Sequence, residues 1–332
     1  MARVAVIGAG AWGSALACVA QRAGNQTIWW ARDPVLAKTI NESGENTRYL
    51  SGVPLAEGVM ATADLAMAVR KADLLLLAIP AQHMRAVTAS MTPLDGTPAA
   101  ICAKGVELGT QALMSEVLRE TLPAVRQAIL SGPTFAGEVA RGLPTAVTVA
   151  ALESQVCILF IKALGAARFR PYASDDPLGA EVGGAVKNVL AIACGITAGR
   201  QFGDNARAAL ITRGLAEIMR LAVAMGGRAQ TLMGLSGLGD LTLTCNAMQS
   251  RNFSLGVALG EGRSLADVLA ERRAVTEGVY SARAVTALAR QRGVAMPICD
   301  AVDRVVNHSA DVGDTITALL SRPFARESGD AD

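Results

Sequence analysis

Apolar residues arrive along this 332-residue chain in two rhythms. In the first half they come as short runs, each closed by glycine, proline or a polar pair. Arg3-Val4-Ala5-Val6-Ile7, Thr27-Ile28-Trp29-Trp30 and residues 72–79, 99–103 and 128–130 are such runs, and 145–150 and 167–172 are two further candidate strands. Runs of this length without polar alternation are strands buried on both faces, as in a parallel sheet. Stretches with helical spacing separate them, the first extending to about Ala20. After Ser174-Asp175-Asp176-Pro177 the strand rhythm stops, and from Leu178 the pattern reads helix after helix, one of them over residues 205–226. The pattern predicts two domains, an α/β domain over residues 1–177 and an all-α domain over 178–332, with a loose tail from Pro323.

The first strand runs straight into Gly8-Ala9-Gly10-Ala11-Trp12-Gly13 and then a helix. Strand, G-x-G-x-x-G, helix, strand within about 30 residues is the dinucleotide-binding order of a doubly wound Rossmann domain. Gly8 permits the tight turn, Gly10 lets backbone N–H groups approach a pyrophosphate, and Gly13 lets helix and strand pack closely. At the end of the second strand stands Arg32, where an acidic residue would grip a ribose hydroxyl. An arginine suits a 2′-phosphate; a surface arginine is the plainer reading. Asp33-Pro34 reads as the start of the next helix, with the carboxylate as its cap. Ligands of open α/β sheets bind beyond the carboxyl ends of strands. That places Lys104, after the strand at 99–103, and the Gly132-Pro133-Thr134-Phe135-Ala136 turn, after the strand at 128–130, beside a nicotinamide and its substrate. A turn alone also accounts for Gly132-Pro133.

In the second half, Gly183-Gly184-Ala185-Val186-Lys187-Asn188 lies inside an apolar stretch from Ala180 to Ile196. A helix apolar on every side is buried. Burial would lower the Lys187 pKa and prepare it for acid–base work near neutral pH; a lysine that snorkels out or pairs with a structural carboxylate is the alternative. Gly234-Leu235-Ser236-Gly237-Leu238-Gly239-Asp240 follows no strand and lacks the Gly-Lys-Ser/Thr of a phosphate loop. Ser250-Arg251-Asn252 offers a hydroxyl, a guanidinium and an amide in sequence, fit for a phosphate, though each singly also suits a cap or a surface. Val275-Thr276-Glu277-Gly278 interrupts the helical pattern once more.

Composition narrows the reading further. Half the chain is apolar and the formal net charge is +2, so nothing in bulk points to nucleic acid. The six cysteines include no C-x-x-C pair and read as reduced, cytosolic thiols. His83 and His308 sit in no constellation, so no metal site is expected. The N-terminus has the outline of a secretory signal, but its three glycines fit a nucleotide loop better. The apolar runs at 74–79 and 189–196 are too short to span a membrane.

These motifs, in this order, together with Asn205-Ala206-Arg207-Ala208-Ala209-Leu210-Ile211-Thr212-Arg213-Gly214, closely resemble bacterial NAD(P)-dependent sn-glycerol-3-phosphate dehydrogenases from residue 4 to about 280. The resemblance implies reduction of dihydroxyacetone phosphate to sn-glycerol 3-phosphate with NADP(H) or NAD(H), feeding phospholipid synthesis. It implies a cytoplasmic homodimer with no membrane span and no metal. Lys187 matches the acid–base residue. Lys104, Gly132, Thr134, Asp240, Ser250, Arg251 and Asn252 match substrate contacts. Gly8, Gly10, Ala11, Trp12, Gly13, Arg32, Lys104, Ala136, Arg251, Val275 and Glu277 match cofactor contacts. Phe253 stands where some relatives carry a basic residue. The rival is a β-hydroxyacid dehydrogenase of the 6-phosphogluconate or 3-hydroxyisobutyrate type, which also joins a Rossmann domain to helices and uses a lysine. The Gly237–Asp240 and Ser250–Asn252 pieces argue against it.

Overall fold

The computed structural model describes residues 1–92, 94–272 and 275–323. Most of the tail expected from Pro323, residues 324–332, lies outside the described residues. In the first half strands and helices alternate: β1 (Arg3–Ile7), α1 (Ala11–Arg22), β2 (Gln26–Trp30), α2 (Pro34–Ser43), β3 (Met60–Thr62), α3 (Leu65–Val69), β4 (Leu74–Leu77), α4 (Met84–Ala89), β5 (Pro98–Ile101), α5 (Met114–Thr121), β6 (Arg126–Ser131), α6 (Ala136–Ala140), β7 (Thr145–Ala150), α7 (Ser154–Leu164) and β8 (Phe169–Ser174). Helices alone follow: α8 (Pro177–Gly199), α9 (Gly203–Ala224), α10 (Ala229–Leu232), α11 (Asp240–Cys245), α12 (Arg251–Gly260), α13 (Leu265–Ala270), α14 (Glu277–Gln291), α15 (Pro297–His308) and α16 (Val312–Leu320).

The sheet order is β3-β2-β1-β4-β5-β6-β7-β8. All neighbours pair parallel except β6 and β7, so the last two strands run against the rest. This is the doubly wound, mostly parallel α/β domain that the apolar runs predict. Leu74–Leu77 is fully buried, as a strand covered on both faces must be. Two differences have local causes. β3 has three residues, too few for any periodicity, and pairs only at the sheet edge. β8 lies two residues later than expected; it too is an edge strand, with only Phe169 buried, and its pattern is weak.

Of the helices, α8 organises the second half. Asp176 caps it, accepting from Gly179 N–H at 2.9 Å, and Pro177 occupies its first turn, where a missing N–H costs nothing. Ala180 packs into the core on one side of the sheet, with Ile129 and Ala150, whereas Val182 to Ile196 belong to the helical core. Its 23 residues make it the one helix among those described that is long and apolar enough to cross a membrane, longer than the run at 189–196 suggested. It is buried within the fold, 83% of its most apolar window being covered.

Helix α12 crosses α8 at backbone contact. A Cβ at Gly195 would stand 2.8 Å from Gly256 Cα, and one at Gly256 would stand 2.9 Å from Gly195 Cα. Gly199 and Gly260 repeat the contact one turn on, each Cβ falling 3.0 Å from the other's Cα. Side chains there would force the helices apart, so the four glycines set how closely the second half of α12 approaches the last turns of α8.

Candidate active site

Four segments converge at Asp240. Lys187, in the middle of α8, reaches Asp240 Oδ1 with its Nζ at 2.8 Å and donates to Thr244 Oγ1 at 2.7 Å. Lys104, three residues past β5, holds Asp240 Oδ2 at 2.5 Å and donates to the Gly132 carbonyl at 3.1 Å. Thr244, one turn along α11, lies 3.2 Å from Asp240 Oδ1. Asp240 itself is placed by a π-helical turn, Leu235–Gly239, which continues directly into α11. The turn presses onto α8 where Gly183 has no side chain; a Cβ there would lie 2.7 Å from the Ser236 carbonyl oxygen. The glycine-rich segment read from the sequence is thus a packing device that aims a carboxylate.

Asp240 is wholly buried and Lys187 is 7% exposed. Burial alone would raise the Asp240 pKa, but the charges of Lys104 and Lys187 outweigh it and hold the carboxyl below its ordinary value. Burial pushes Lys187 down to about 8, against the pull of Asp240 and with the push of Lys104. The cluster carries two ammonium groups on one carboxylate. Each ammonium has three N–H donors and two partners among the described residues, so each keeps one for a ligand.

An amide chain extends the centre. Asn188 Nδ2 donates to the Lys104 carbonyl at 3.5 Å, Asn252 Nδ2 to Asn188 Oδ1 at 2.9 Å, and Gly278 N–H to Asn252 Oδ1 at 2.9 Å. Asn252 therefore joins the site through Asn188. Ser250 caps α12, its hydroxyl accepting from Phe253 N–H at 3.2 Å, and among the described residues its O–H has no acceptor. Arg251 begins α12 and is open to solvent, yet surrounding protein desolvates it enough to lower its pKa, with Glu277 opposing. Glu277 begins α14 and accepts from Ala81 N–H at 3.4 Å, past the end of β4. Thr134 donates to the Gly132 carbonyl at 3.2 Å within its own turn, Ala136 begins α6, and Val275 is exposed. Arg32 stands apart, exposed at the end of β2, while Asp33 caps α2 by accepting from Val35 and Leu36 N–H.

The glycine-rich turn fits a dinucleotide. Gly8 has φ +115°, and a Cβ there would collide with the Ala78 carbonyl. A Cβ on Gly13 would collide with the Gly8 carbonyl, whereas one on Gly10 would meet nothing within 4 Å. Gly10 precedes α1 with no side-chain cap, so the helix N-terminus is open to an anion. Trp12 Nε1 and Glu277 Oε2 are buried with no hydrogen-bond partner among the described residues, as groups are that await a ligand.

One residue of the Asp240 cluster and one contact within it escape sequence reading. Thr244 lies four residues after Asp240 on one helix, a spacing that signals proximity only once Asp240 is known to be central. That Lys104 takes the second oxygen of Asp240 left no signal at all, because the pair is 136 residues apart.

A Rossmann sheet with an open pyrophosphate turn, facing a buried lysine–aspartate centre on a helical domain, defines a nicotinamide-nucleotide oxidoreductase. Models of the NAD-dependent glycerol-3-phosphate dehydrogenase N-terminus and C-terminus match residues 3–157 and 176–317. The glycerol-3-phosphate dehydrogenases [NAD(P)+] of Parvibaculum lavamentivorans and Rhodospirillum rubrum are each 56% identical over 98% of the chain, covering 98% and 94% of their own lengths. The crystal structure of glycerol-3-phosphate dehydrogenase from Coxiella burnetii superposes with a TM-score of 0.92 at 39% identity, over 97% of this chain and 99% of that one. The chain belongs to the NAD-dependent glycerol-3-phosphate dehydrogenase family. Its activity is the NAD(P)H-dependent interconversion of dihydroxyacetone phosphate and sn-glycerol 3-phosphate, which places it in lipid metabolism.

Proposed function

We propose that Lys187 is the general acid of the reduction and the base of its reverse, and that Lys104, Gly132, Thr134, Asp240, Ser250, Arg251 and Asn252 form the substrate site. The observation that carries this is the pair of buried ammonium groups on one carboxylate. Bound NAD(P)H supplies the hydride to the ketone carbon. Negative charge then grows on the ketone oxygen, and the free N–H of Lys187 stabilises it and delivers the proton. Asp240 and Thr244 aim that ammonium. Lys104 keeps the cluster net positive, so the developing alkoxide meets a favourable field. Arg251, helped by Asn252, holds the phosphate, which positions the reacting carbon. Gly8, Gly10, Ala11, Trp12, Gly13, Arg32, Lys104, Ala136, Arg251, Val275 and Glu277 serve the cofactor.

The chain works as a cytoplasmic homodimer with its domain boundary after Pro177. The family resemblance supports the pairing, and six free, buried cysteines suit a reducing compartment. The test is NADPH oxidation with dihydroxyacetone phosphate, against hydroxyacid and no-substrate controls, with light scattering for the dimer. Turnover with a hydroxyacid alone would return the reading to the β-hydroxyacid rival.

A further inference from the structure

Between α2 and β3 lies a loop, residues 44–55, outside the Asp240 centre. It is closed on itself: Leu55 N–H donates to the Gly44 carbonyl at 2.8 Å, and Gly52 N–H to the Glu45 carboxylate at 2.5 Å. Asn46, with no exposed surface, pins it to the glycine-rich turn. Its Nδ2 donates to the Ala9 carbonyl at 3.0 Å and to the Ser14 hydroxyl at 2.9 Å, and its Oδ1 accepts from Tyr49 N–H at 3.3 Å. Two residues past this anchor, Arg48 places Nη1 2.7 Å from Asp33 Oδ2.

Both oxygens of Asp33 are therefore used from within the chain, Oδ1 by Val35 and Leu36 N–H and Oδ2 by Arg48. In a Rossmann site that prefers NAD, a carboxylate near the end of the second strand must be free to accept from the ribose 2′-hydroxyl. Asp33 has the position but not the freedom. An uncovered carboxylate there would repel a 2′-phosphate; under a guanidinium it is neutralised, and the guanidinium adds donors beside the exposed Arg32.

We propose that Arg48 is a cofactor-specificity residue: anchored through Asn46, it masks Asp33 and, with Arg32, makes the end of β2 accept the 2′-phosphate of NADP(H). This rests on the assignment of Arg32 to the adenosine ribose. The pair is solvent-accessible, so its effect is moderate.

The test is calorimetric binding of 2′,5′-ADP and of 5′-ADP to the full chain, which needs no turnover. The proteins are wild type, Arg32→Ala, Arg48→Ala and the Arg48→Ala/Asp33→Asn double variant, in which asparagine still caps α2. Wild type should bind 2′,5′-ADP more tightly than 5′-ADP. Arg48→Ala should weaken 2′,5′-ADP by roughly three- to tenfold and leave 5′-ADP unchanged or slightly tighter. Adding Asp33→Asn should recover part of the loss. If Arg32→Ala loses the discrimination while Arg48→Ala keeps it, or if Arg48→Ala weakens both ligands equally, Arg48 has no role in specificity although the ribose assignment stands. If wild type does not discriminate, both fall together.

Discussion

Lys187 illustrates how one residue acquires a function from its surroundings. Desolvation lowers its pKa, Asp240 resists, and the balance near 8 leaves it protonated in neutral solution but ready to give the proton up. Lys187→Ala should fold, bind NADPH and lose at least about 10²-fold in turnover, the lower end for a lost general acid. Near wild-type turnover in the purified variant would remove Lys187 from the chemistry. The pH dependence has a definite sign. Reduction needs the ammonium, so kcat/KM for dihydroxyacetone phosphate should fall as pH rises through about 8. Oxidation of sn-glycerol 3-phosphate needs the free amine, so its kcat/KM should rise through the same point. Profiles that move in the same direction would assign the titration to another group. Arg251→Ala should act mainly on substrate KM, since a charge-assisted bond to phosphate contributes roughly 1.5–3 kcal/mol, or ten- to a hundredfold in kcat/KM. Steady-state kinetics with an unchanged KM would exclude it from the phosphate site.

At the scale of elements, the crossing of α8 and α12 couples stability to catalysis. Lys187, proposed as the general acid, is on one helix and Arg251 and Asn252, proposed for the phosphate, begin the other, and the spacing between the helices is set by glycines that touch backbone to backbone. Gly256→Ala places a methyl against the Ile192 carbonyl and 2.9 Å from Gly195 Cα, in a position flanked by backbone that cannot rotate away. Overpacking of this kind costs about 1–3 kcal/mol. Urea denaturation should show that loss, and kcat/KM should drop with it, because separating the helices moves Arg251 and Asn252 away from Lys187. A surface alanine exchange on α12 should do neither. If Gly256→Ala matches wild type in both measurements, the close crossing is not what positions the site.

Across the whole molecule, two buried carboxyl groups brace the layout. Glu181, on α8, accepts from Ser115 N–H and hydroxyl at the start of α5, tying the long helix to the sheet domain. Glu217, on α9, accepts from Ile298 and Cys299 N–H at the start of α15. Burial pushes each up to about 7, and their hydrogen bonds only partly oppose it. In the unfolded chain both titrate near 4.5. Between those values the native state binds more protons than the unfolded state, so their contribution to stability is whole below about pH 4.5 and is lost as pH rises through about 7. Glu217→Gln removes that titration while keeping an acceptor for the α15 N-terminus. The difference in unfolding free energy between wild type and variant should therefore shift in favour of the variant from pH 5 to pH 8. A difference that stays constant across that range would mean Glu217 is ionised throughout.

How much of this was legible beforehand follows from the range of each cause. The strands β1, β2 and β4 to β7, the dinucleotide turn, the Asp33 cap and the buried helix around Lys187 all follow from neighbours a few positions apart. Periodicity and local backbone preference act over that distance, so those features can be read from residues in order. Asp240 was a candidate, but that Lys104 takes its second oxygen was not legible, nor were the amide chain through Asn188 or the reach of Arg48 to Asp33. Lys104 and Lys187 share one carboxylate because the segment after β5 packs onto α8 at Gly184, and because Gly183 lets the π-helical turn close onto the same helix. Which charges meet there depends on how closely backbones approach. That is a property of packing between segments as far as 136 residues apart, and it exists only once the chain has folded.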